Sequence, residues 1–199
     1  MRITAAAKAE MRVRLLEAGG RLFTEKGFEQ TTTRDLASEV GVAAGTLFNY
    51  FPTKEALAMT LLADAFAAGR ESYREQRRGG EGLAEDLFAL TACELRALRA
   101  HRGFVAPVLE TAFSPFARAA VSVAGEETRL AHLETVGEIA RTHGVDVSER
   151  AVVMHLYWTL YLGVLGHWTA DDSPTQAETL AVLDSSMRLF AETMTGAER

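Results

Sequence analysis

Apolar residues recur along the chain at the three- and four-residue spacing of an amphipathic helix, from the N-terminal region to the C-terminus. Alternation between apolar and polar residues, the signature of a half-buried strand, nowhere exceeds chance. Glycine and proline divide the pattern into segments, so the sequence predicts an all-α protein. The predicted helices span about 5–26, 33–40, 43–50, 54–78, 83–100, 104–112, 115–143, 148–169 and 171–194.

Two of these helices are short and follow each other closely in residues 33–54. Thr33 is a favourable N-cap for the first, and Asp35 lies in its first turn, where a carboxylate suits the helix dipole. Gly41 follows directly and is able to adopt the left-handed conformation that ends a helix. Val42 is then expected to return to the core.

The spacing of small and apolar residues predicts that these two short helices cross closely. Ala37 allows the helices to approach, Gly41 forms the corner, and Leu47 fills the gap between them. This is the pattern of a helix-turn-helix, whose second helix can lie in the major groove of DNA.

A resemblance over a longer stretch of sequence supports the helix-turn-helix. Residues 45–57, Gly-Thr-Leu-Phe-Asn-Tyr-Phe-Pro-Thr-Lys-Glu-Ala-Leu, closely resemble the signature of the TetR family of bacterial transcriptional regulators. Residues 22–37 resemble the first helix of that family and its exit, and the match covers roughly residues 12–60. The resemblance implies a three-helix DNA-binding domain with a helix-turn-helix at 1–53. A larger helical domain for ligand binding and dimerisation is expected at 54–199.

The resemblance also assigns roles to individual residues. Tyr50 ends the recognition helix and Lys54 begins the next helix, and both are expected to contact the DNA backbone. Arg34 is the best candidate for a bidentate contact with guanine, although a phosphate contact remains an alternative. The residues predicted to bind DNA are Thr33, Arg34, Ala44, Gly45, Thr46, Asn49, Tyr50 and Lys54.

Charge is distributed unevenly along this acidic chain. The net charge is −6, but residues 1–54 hold eight Lys or Arg against six Asp or Glu, a local excess of positive charge. The affinity for phosphate is therefore expected to reside in the N-terminal region. The single cysteine, Cys93, excludes an intramolecular disulfide, and no signal peptide begins the sequence, so a cytoplasmic location is expected.

Residues 151–170 contain no Asp, Glu, Lys or Arg. The length of this uncharged segment matches that of a membrane-spanning helix. His155 and His167 would be costly in lipid, so a helix buried on two sides is the preferred interpretation. The resemblance implies a homodimer formed through residues 148–169 and 175–194. The face expected to meet the partner comprises Val153, Leu156, Leu160, Gly163 and Val164, and the face expected to pack within the chain comprises Met154, Trp158, Tyr161 and Leu165.

A pocket for a small-molecule effector is expected in residues 83–170. Glu94 lies on an otherwise apolar arc, where it either reaches solvent or an arginine at the edge or faces the ligand. The expected effector is largely hydrophobic, with a cation or hydrogen-bond donor favoured if Glu94 faces inward. The candidate ligand-binding residues are Glu94, Phe104, Phe113, Trp158 and Tyr161.

The sequence therefore predicts a ligand-responsive repressor, not an enzyme, that binds a palindromic double-stranded DNA operator as a homodimer and needs no cofactor or metal. Two other interpretations remain at this stage. One is an enzyme with an all-helical pocket, although no catalytic or metal-binding motif occurs. The other is a membrane-anchored or scaffolding helical protein.

Overall fold

A computed structural model describes residues 4–113, 122–147 and 151–196 of the chain, and these residues form helices joined by turns, with no strand among them. The all-α fold class is thus confirmed. The helices are α1 (Ala5–Glu25), α2 (Thr33–Glu39), α3 (Ala44–Leu47), α4 (Lys54–Gln76), α5 (Leu83–Leu98), α6 (Arg102–Ala112), α7 (Val123–Thr142), α8 (Ala151–Ala170) and α9 (Ala177–Gly196).

The contacts between residues divide the chain into two compact units. The first comprises Met1–Asp64 and Ala100–Glu126, and the second comprises Ala65–Arg99 and Glu127–Arg199. The helix α4 contributes residues to both units. The domain boundary expected after residue 53 stays a prediction.

The first unit is built on α1, which contacts α2 and α6. Within α1, Gly19 leaves room for Leu57, because a Cβ there would lie 2.4 Å from Leu57 Cδ2. A glycine in a helix interior costs up to about 1 kcal/mol relative to alanine, and here the close packing of Leu57 offsets that cost. The buried apolar residues of this unit include Leu15, Phe23, Leu36, Leu47, Phe51, Leu57 and Phe104.

The second unit is formed by α5, α8 and α9 together with the C-terminal part of α4 and α7. The helix α9 packs against both α5 and α8. One side of α5 is apolar, because five leucines of this helix are all buried. These are Leu83, Leu87, Leu90, Leu95 and Leu98.

Several predicted helix boundaries differ from the structure. The last helix begins at Ala177 instead of 171, because Pro174–Gln176 form a 3₁₀ turn that precedes it. The expected starts at Pro115 and Ser148 lie outside the described residues, and α7 and α8 are described from Val123 and Ala151.

The membrane interpretation of residues 151–170 receives no support. Among the described residues, no helix has the length and apolar character that crossing a bilayer requires. The side chains of Tyr157, Trp158, Tyr161 and Trp168 on α8 are instead buried in protein. The expectation that Val164 faces a partner chain was wrong, since it is fully buried within its own unit.

The helices α4 and α5 approach each other so closely at Gly69 that their backbones are in contact. A Cβ placed on Gly69 would lie 2.5 Å from Glu94 Cα and 2.9 Å from Glu94 N. Backbone atoms cannot move aside as the end of a flexible side chain can. The absence of a side chain at Gly69 is therefore a condition for this helix crossing.

We expect Gly69→Ala to lower the free energy of unfolding by about 1–3 kcal/mol, since added volume in a packed core forces the helices apart. Urea denaturation measures the change. Gly20→Ala is the matched control, because a Cβ there makes only an ordinary contact of 3.8 Å with Leu61. That control should be neutral or more stable, and equal behaviour of both variants would contradict the close crossing.

Candidate nucleic-acid and effector sites

The N-terminus of α2 is fixed by a reciprocal cap. The Thr32 hydroxyl accepts from Asp35 N at 3.1 Å, and Thr32 N donates to Asp35 Oδ2 at 2.8 Å. The expectation that Thr33 is the N-cap was wrong, because only Thr32 has an acidic residue three positions later to complete the capping box. Hydrogen bonds from Lys26 and Thr32 hold the pKa of the Asp35 carboxyl well below its usual value.

The turn between α2 and α3 has the geometry that the sequence predicts. Gly41 adopts a φ of +74°, and Val42 N donates to Ala37 O at 2.9 Å. Ala37 and Leu47 are almost completely buried, whereas Val42 is only half-buried instead of returning fully to the core. This arrangement establishes the helix-turn-helix.

The recognition helix α3 is shorter than expected. Asn49 N donates to Thr46 O and Tyr50 N donates to Leu47 O, so residues 48–50 form a tighter turn instead of continuing the α-helix. The predicted span of 43–50 therefore contains an α-helix only at Ala44–Leu47.

Most of the predicted DNA-binding residues have accessible surface. Arg34, Gly45 and Asn49 are exposed, and Thr33, Ala44, Thr46, Tyr50 and Lys54 are half-buried. Sequence reasoning missed Phe48, whose side chain is 51% exposed at the end of α3. Phe48 directly follows the buried Leu47, and successive positions of a helix are rotated by about 100°, so the exposure of Phe48 is compatible with the burial of Leu47.

Lys54 has a structural role that the sequence did not predict. Its ammonium donates to Phe28 O at 2.8 Å and to Thr31 O at 3.3 Å, and it lies 4.3 Å from the centroid of the Phe28 ring. These carbonyls belong to the connection between α1 and α2. Lys54 therefore holds this connection against the start of α4, and its contact with DNA phosphate stays a prediction.

Glu94 is completely buried in the second unit, among polar partners. Its Oε1 accepts from His132 Nδ1 at 3.0 Å and from Arg70 Nη1 at 3.4 Å, and its Oε2 accepts from the Tyr161 hydroxyl at 2.7 Å. The second ring nitrogen, His132 Nε2, lies 2.9 Å from the Tyr157 hydroxyl. Four helices thus meet through one hydrogen-bonded network.

The structure shows that Glu94 reaches an arginine, Arg70, but inside the protein and not at a solvent-exposed edge. The carboxylate faces inward, but Arg70, His132 and Tyr161 already satisfy it. Burial and then the charge of Glu94 raise the pKa of Tyr161 well above its usual value, so this tyrosine remains a neutral donor. A cationic group on the effector is therefore not needed to balance Glu94.

The other candidate effector residues fall into two groups. Trp158 lies beside Tyr161, with ring centroids 5.3 Å apart, so the structure brings these two residues and Glu94 together. Phe104 and Phe113 are buried in the first unit, where Phe104 contacts Phe23 at a centroid distance of 5.3 Å. All five side chains are packed, and their contact with an effector stays a prediction.

A second polar cluster in this unit surrounds Asp86. Its carboxylate accepts from Arg77 at 2.9 Å, from the Tyr73 hydroxyl at 3.0 Å, and contacts His143 at 2.8 Å. Burial alone would raise the pKa of Asp86, but the hydrogen bonds from His143, Arg77 and Tyr73 outweigh it and lower that pKa. No group of His, Cys, Asp or Glu in the described part of the chain is arranged to hold a metal ion.

Comparison with known proteins agrees with this geometry. The family model for bacterial regulatory proteins of the tetR family matches residues 15–60. The HTH-type transcriptional repressor KstR2 of Rhodococcus jostii is 31% identical over 101 residues, which cover 51% of this chain and 50% of that protein. The chain spans about half the length of the first curated relatives that it matches.

Two solved structures share the fold along most of the chain. FadR of Thermus thermophilus in complex with lauroyl-CoA has a TM-score of 0.71 at 24% identity, covering 92% of this chain and 94% of that one. FadR of Bacillus subtilis in complex with stearoyl-CoA has a TM-score of 0.60 at 15% identity, covering 90% and 97%. Residues 15–60, which contain the helix-turn-helix, therefore match the tetR family of bacterial regulatory proteins, and the two solved structures share the fold of the chain. The relative named above is a transcriptional repressor and not an enzyme.

Gly45 provides a test of the recognition surface that is separate from folding. A Cβ added there meets nothing within 4 Å, so Gly45→Ala should leave the free energy of unfolding unchanged or raise it by up to about 1 kcal/mol. If α3 enters the major groove as predicted, the same change should weaken DNA binding, because the added methyl group would keep the DNA from approaching the backbone at Gly45.

Fluorescence anisotropy with operator DNA measures the affinity, and thermal unfolding measures the stability. Gly103→Ala is the matched control, since Gly103 lies in α6 with equally open surroundings. If Gly45→Ala bound operator DNA as tightly as the wild type, α3 would not lie against the DNA at this position.

Proposed function

We propose that the protein is a homodimeric repressor that binds a palindromic operator and is released by a small hydrophobic effector. The observation that carries this proposal is the helix-turn-helix, in which Leu36, Ala37 and Leu47 are buried while Arg34 and Gly45 remain exposed. Such a surface suits insertion into a major groove.

The cations near the helix-turn-helix support a specific role for Arg34. Arg14 donates to Val40 O, Arg21 pairs with Glu39, and Lys26 pairs with Asp35. Arg34 has no such partner among the described residues. Its guanidinium is therefore available for a base edge or a phosphate.

The proposal of a homodimer is supported by apolar side chains that remain exposed on α8 and α9. Val152 is 82% exposed, Leu189 is 54% exposed, and Leu156 is 41% exposed. Gly163, also exposed on α8, offers open space to a neighbouring helix. A second copy covering this face would bury these side chains and give the two-fold symmetry that a palindromic operator requires.

The effector that we propose is an acyl-CoA thioester or a molecule with a similar apolar chain. This proposal is supported by FadR of Thermus thermophilus, which shares the fold and is described in complex with lauroyl-CoA. The neutral aromatic surface of Trp158 and Tyr161 suits an acyl chain, since the Glu94 charge is balanced internally. Because α4 contributes residues to both units, a ligand that favours one position of this helix would change DNA affinity by linkage.

The whole proposal is tested by a gel shift with the DNA that flanks the gene of this protein, with and without lauroyl-CoA. We expect a specific complex that lauroyl-CoA weakens. Lack of any specific complex would reject the regulatory role, whereas a complex that lauroyl-CoA leaves intact would reject only the effector class.

Arg34→Ala should relax the sequence preference at one symmetric operator position by about 1–3 kcal/mol, the discrimination that a bidentate guanine contact provides. Lys54→Ala should instead weaken binding to all sequences alike and lower the salt slope by about one. Selection of binding sites from random DNA distinguishes a loss of sequence preference at one position from a uniform loss of affinity. A uniform loss with Arg34→Ala would assign this residue to phosphate.

Leu189→Arg should convert the dimer into monomers without unfolding the chain, because a charged side chain cannot be buried against a second copy without a partner. Leu130→Arg is the matched control, since Leu130 on α7 is also 54% exposed. Sedimentation velocity measures both variants. A dimer that survives Leu189→Arg would remove this part of α9 from the interface.

A further inference from the structure

A groove in the second unit is lined by two arginines and no carboxylate. It has a volume of about 170 Å³ and lies where α5 faces the start of α9. The lining residues are Ala92, Leu95, Arg96, Arg99, Trp168, Thr175, Gln176, Thr179 and Leu180. In a chain with a net charge of −6, a concave surface with only positive charge is unexpected.

The two arginines differ from three others in the same unit. Arg70, Arg77 and Arg188 each pair with a carboxylate. The guanidiniums of Arg96 and Arg99 form neither an ion pair nor a hydrogen bond with any residue that the structure describes. They are three residues apart at the end of α5, where like charges repel, and no carboxylate is among the residues that line the groove.

The opposite wall of the groove has unusual backbone geometry. Thr175 and Gln176 both have a φ of +57°, a conformation that residues with a side chain rarely adopt. The hydroxyls of Thr175 and Thr179 are already engaged, with Pro174 O and Asp171. The side-chain amide of Gln176 and the two guanidiniums therefore supply the donors of this groove.

We infer that this groove binds an oxyanion, a phosphate or carboxylate group held between Arg96 and Arg99. A guanidinium donates two parallel hydrogen bonds to such a group, which makes arginine the preferred residue for binding it. The volume suits one compact anionic group, since pockets for whole drug-sized ligands measure about 300–1,000 Å³. The site is separate from the Glu94 network and does not depend on the identity of the effector.

The C-terminus of α5 offers a competing reason for the cations, because a helix dipole attracts positive charge at this end. That reason applies to any cation and predicts no saturable binding. A specific anion-binding site instead predicts saturable binding of one anion per chain, and this binding requires both arginines. The experiment is designed around this difference.

Trp168 lies in the lining and reports on the groove directly. The chain has two tryptophans, so Trp158→Phe leaves Trp168 as the sole fluorophore. Inorganic phosphate is titrated against this variant at constant ionic strength, and acetate is titrated in parallel as the carboxylate probe. We expect a saturable change in Trp168 emission with at least one of the two anions.

Arg96→Ala combined with Arg99→Ala should weaken that response by about tenfold or more, since the charge-assisted hydrogen bonds are lost. Arg78→Ala is the control, because it removes an exposed arginine of the same unit away from the groove. The melting temperature of the otherwise unmodified chain, in phosphate against chloride at equal ionic strength, gives a second readout that needs no tryptophan replacement.

The source of the anion is resolved by protein concentration. If phosphate or acetate binds at every protein concentration, the groove is free to take an anion from solution. If either binds only after the protein is diluted, a carboxylate of a second copy occupies the groove at high concentration and leaves it when the copies dissociate. The inference is overturned if neither anion gives a saturable response at any concentration, or if the double variant responds like the wild type. These titrations contain no DNA, so a negative result would not affect the proposed role in operator binding, which the gel shift tests separately.

Discussion

The second unit depends on a carboxylate that is buried without access to water. Removing a charge from water costs several kcal/mol, and the cost is offset only when hydrogen bonds satisfy the charge completely. Glu94 is satisfied by Arg70 on α4, His132 on α7 and Tyr161 on α8. Because these partners come from three further helices, the positions of all four helices are constrained together, and Gly69 allows α4 to reach the crossing.

This constraint shapes what an effector can do. A ligand placed beside Trp158 and Tyr161 meets neutral aromatic rings, because the Glu94 charge is already compensated within the protein. A ligand that displaced Tyr161 would remove one hydrogen bond from the buried Glu94 carboxylate. The ligand would then have to donate a hydrogen bond in its place. Apolar insertion that leaves the network intact is therefore energetically favoured over competition for Glu94.

Local features of the fold could be predicted from the sequence, whereas the polar networks could not. The Gly41 corner, where Val42 N donates to Ala37 O, depends on residues only a few positions apart. The partners of Glu94 lie 24 to 67 residues away, so no spacing rule connects them. The same reason explains Lys54, whose carbonyl partners precede it by more than twenty residues.

The first unit shows how an acidic chain can present a DNA-binding surface with few free cations. Arg14, Arg21 and Lys26 are used to hold α1 against α2 and its cap, so they set the geometry of the helix-turn-helix rather than neutralise phosphates. Each phosphate contact that is forgone reduces the affinity of one copy for DNA. Two copies acting together recover that affinity, because binding of the first half-site makes the second contact intramolecular. In the homodimer that we propose, this gain would offset the phosphate contacts that each copy forgoes.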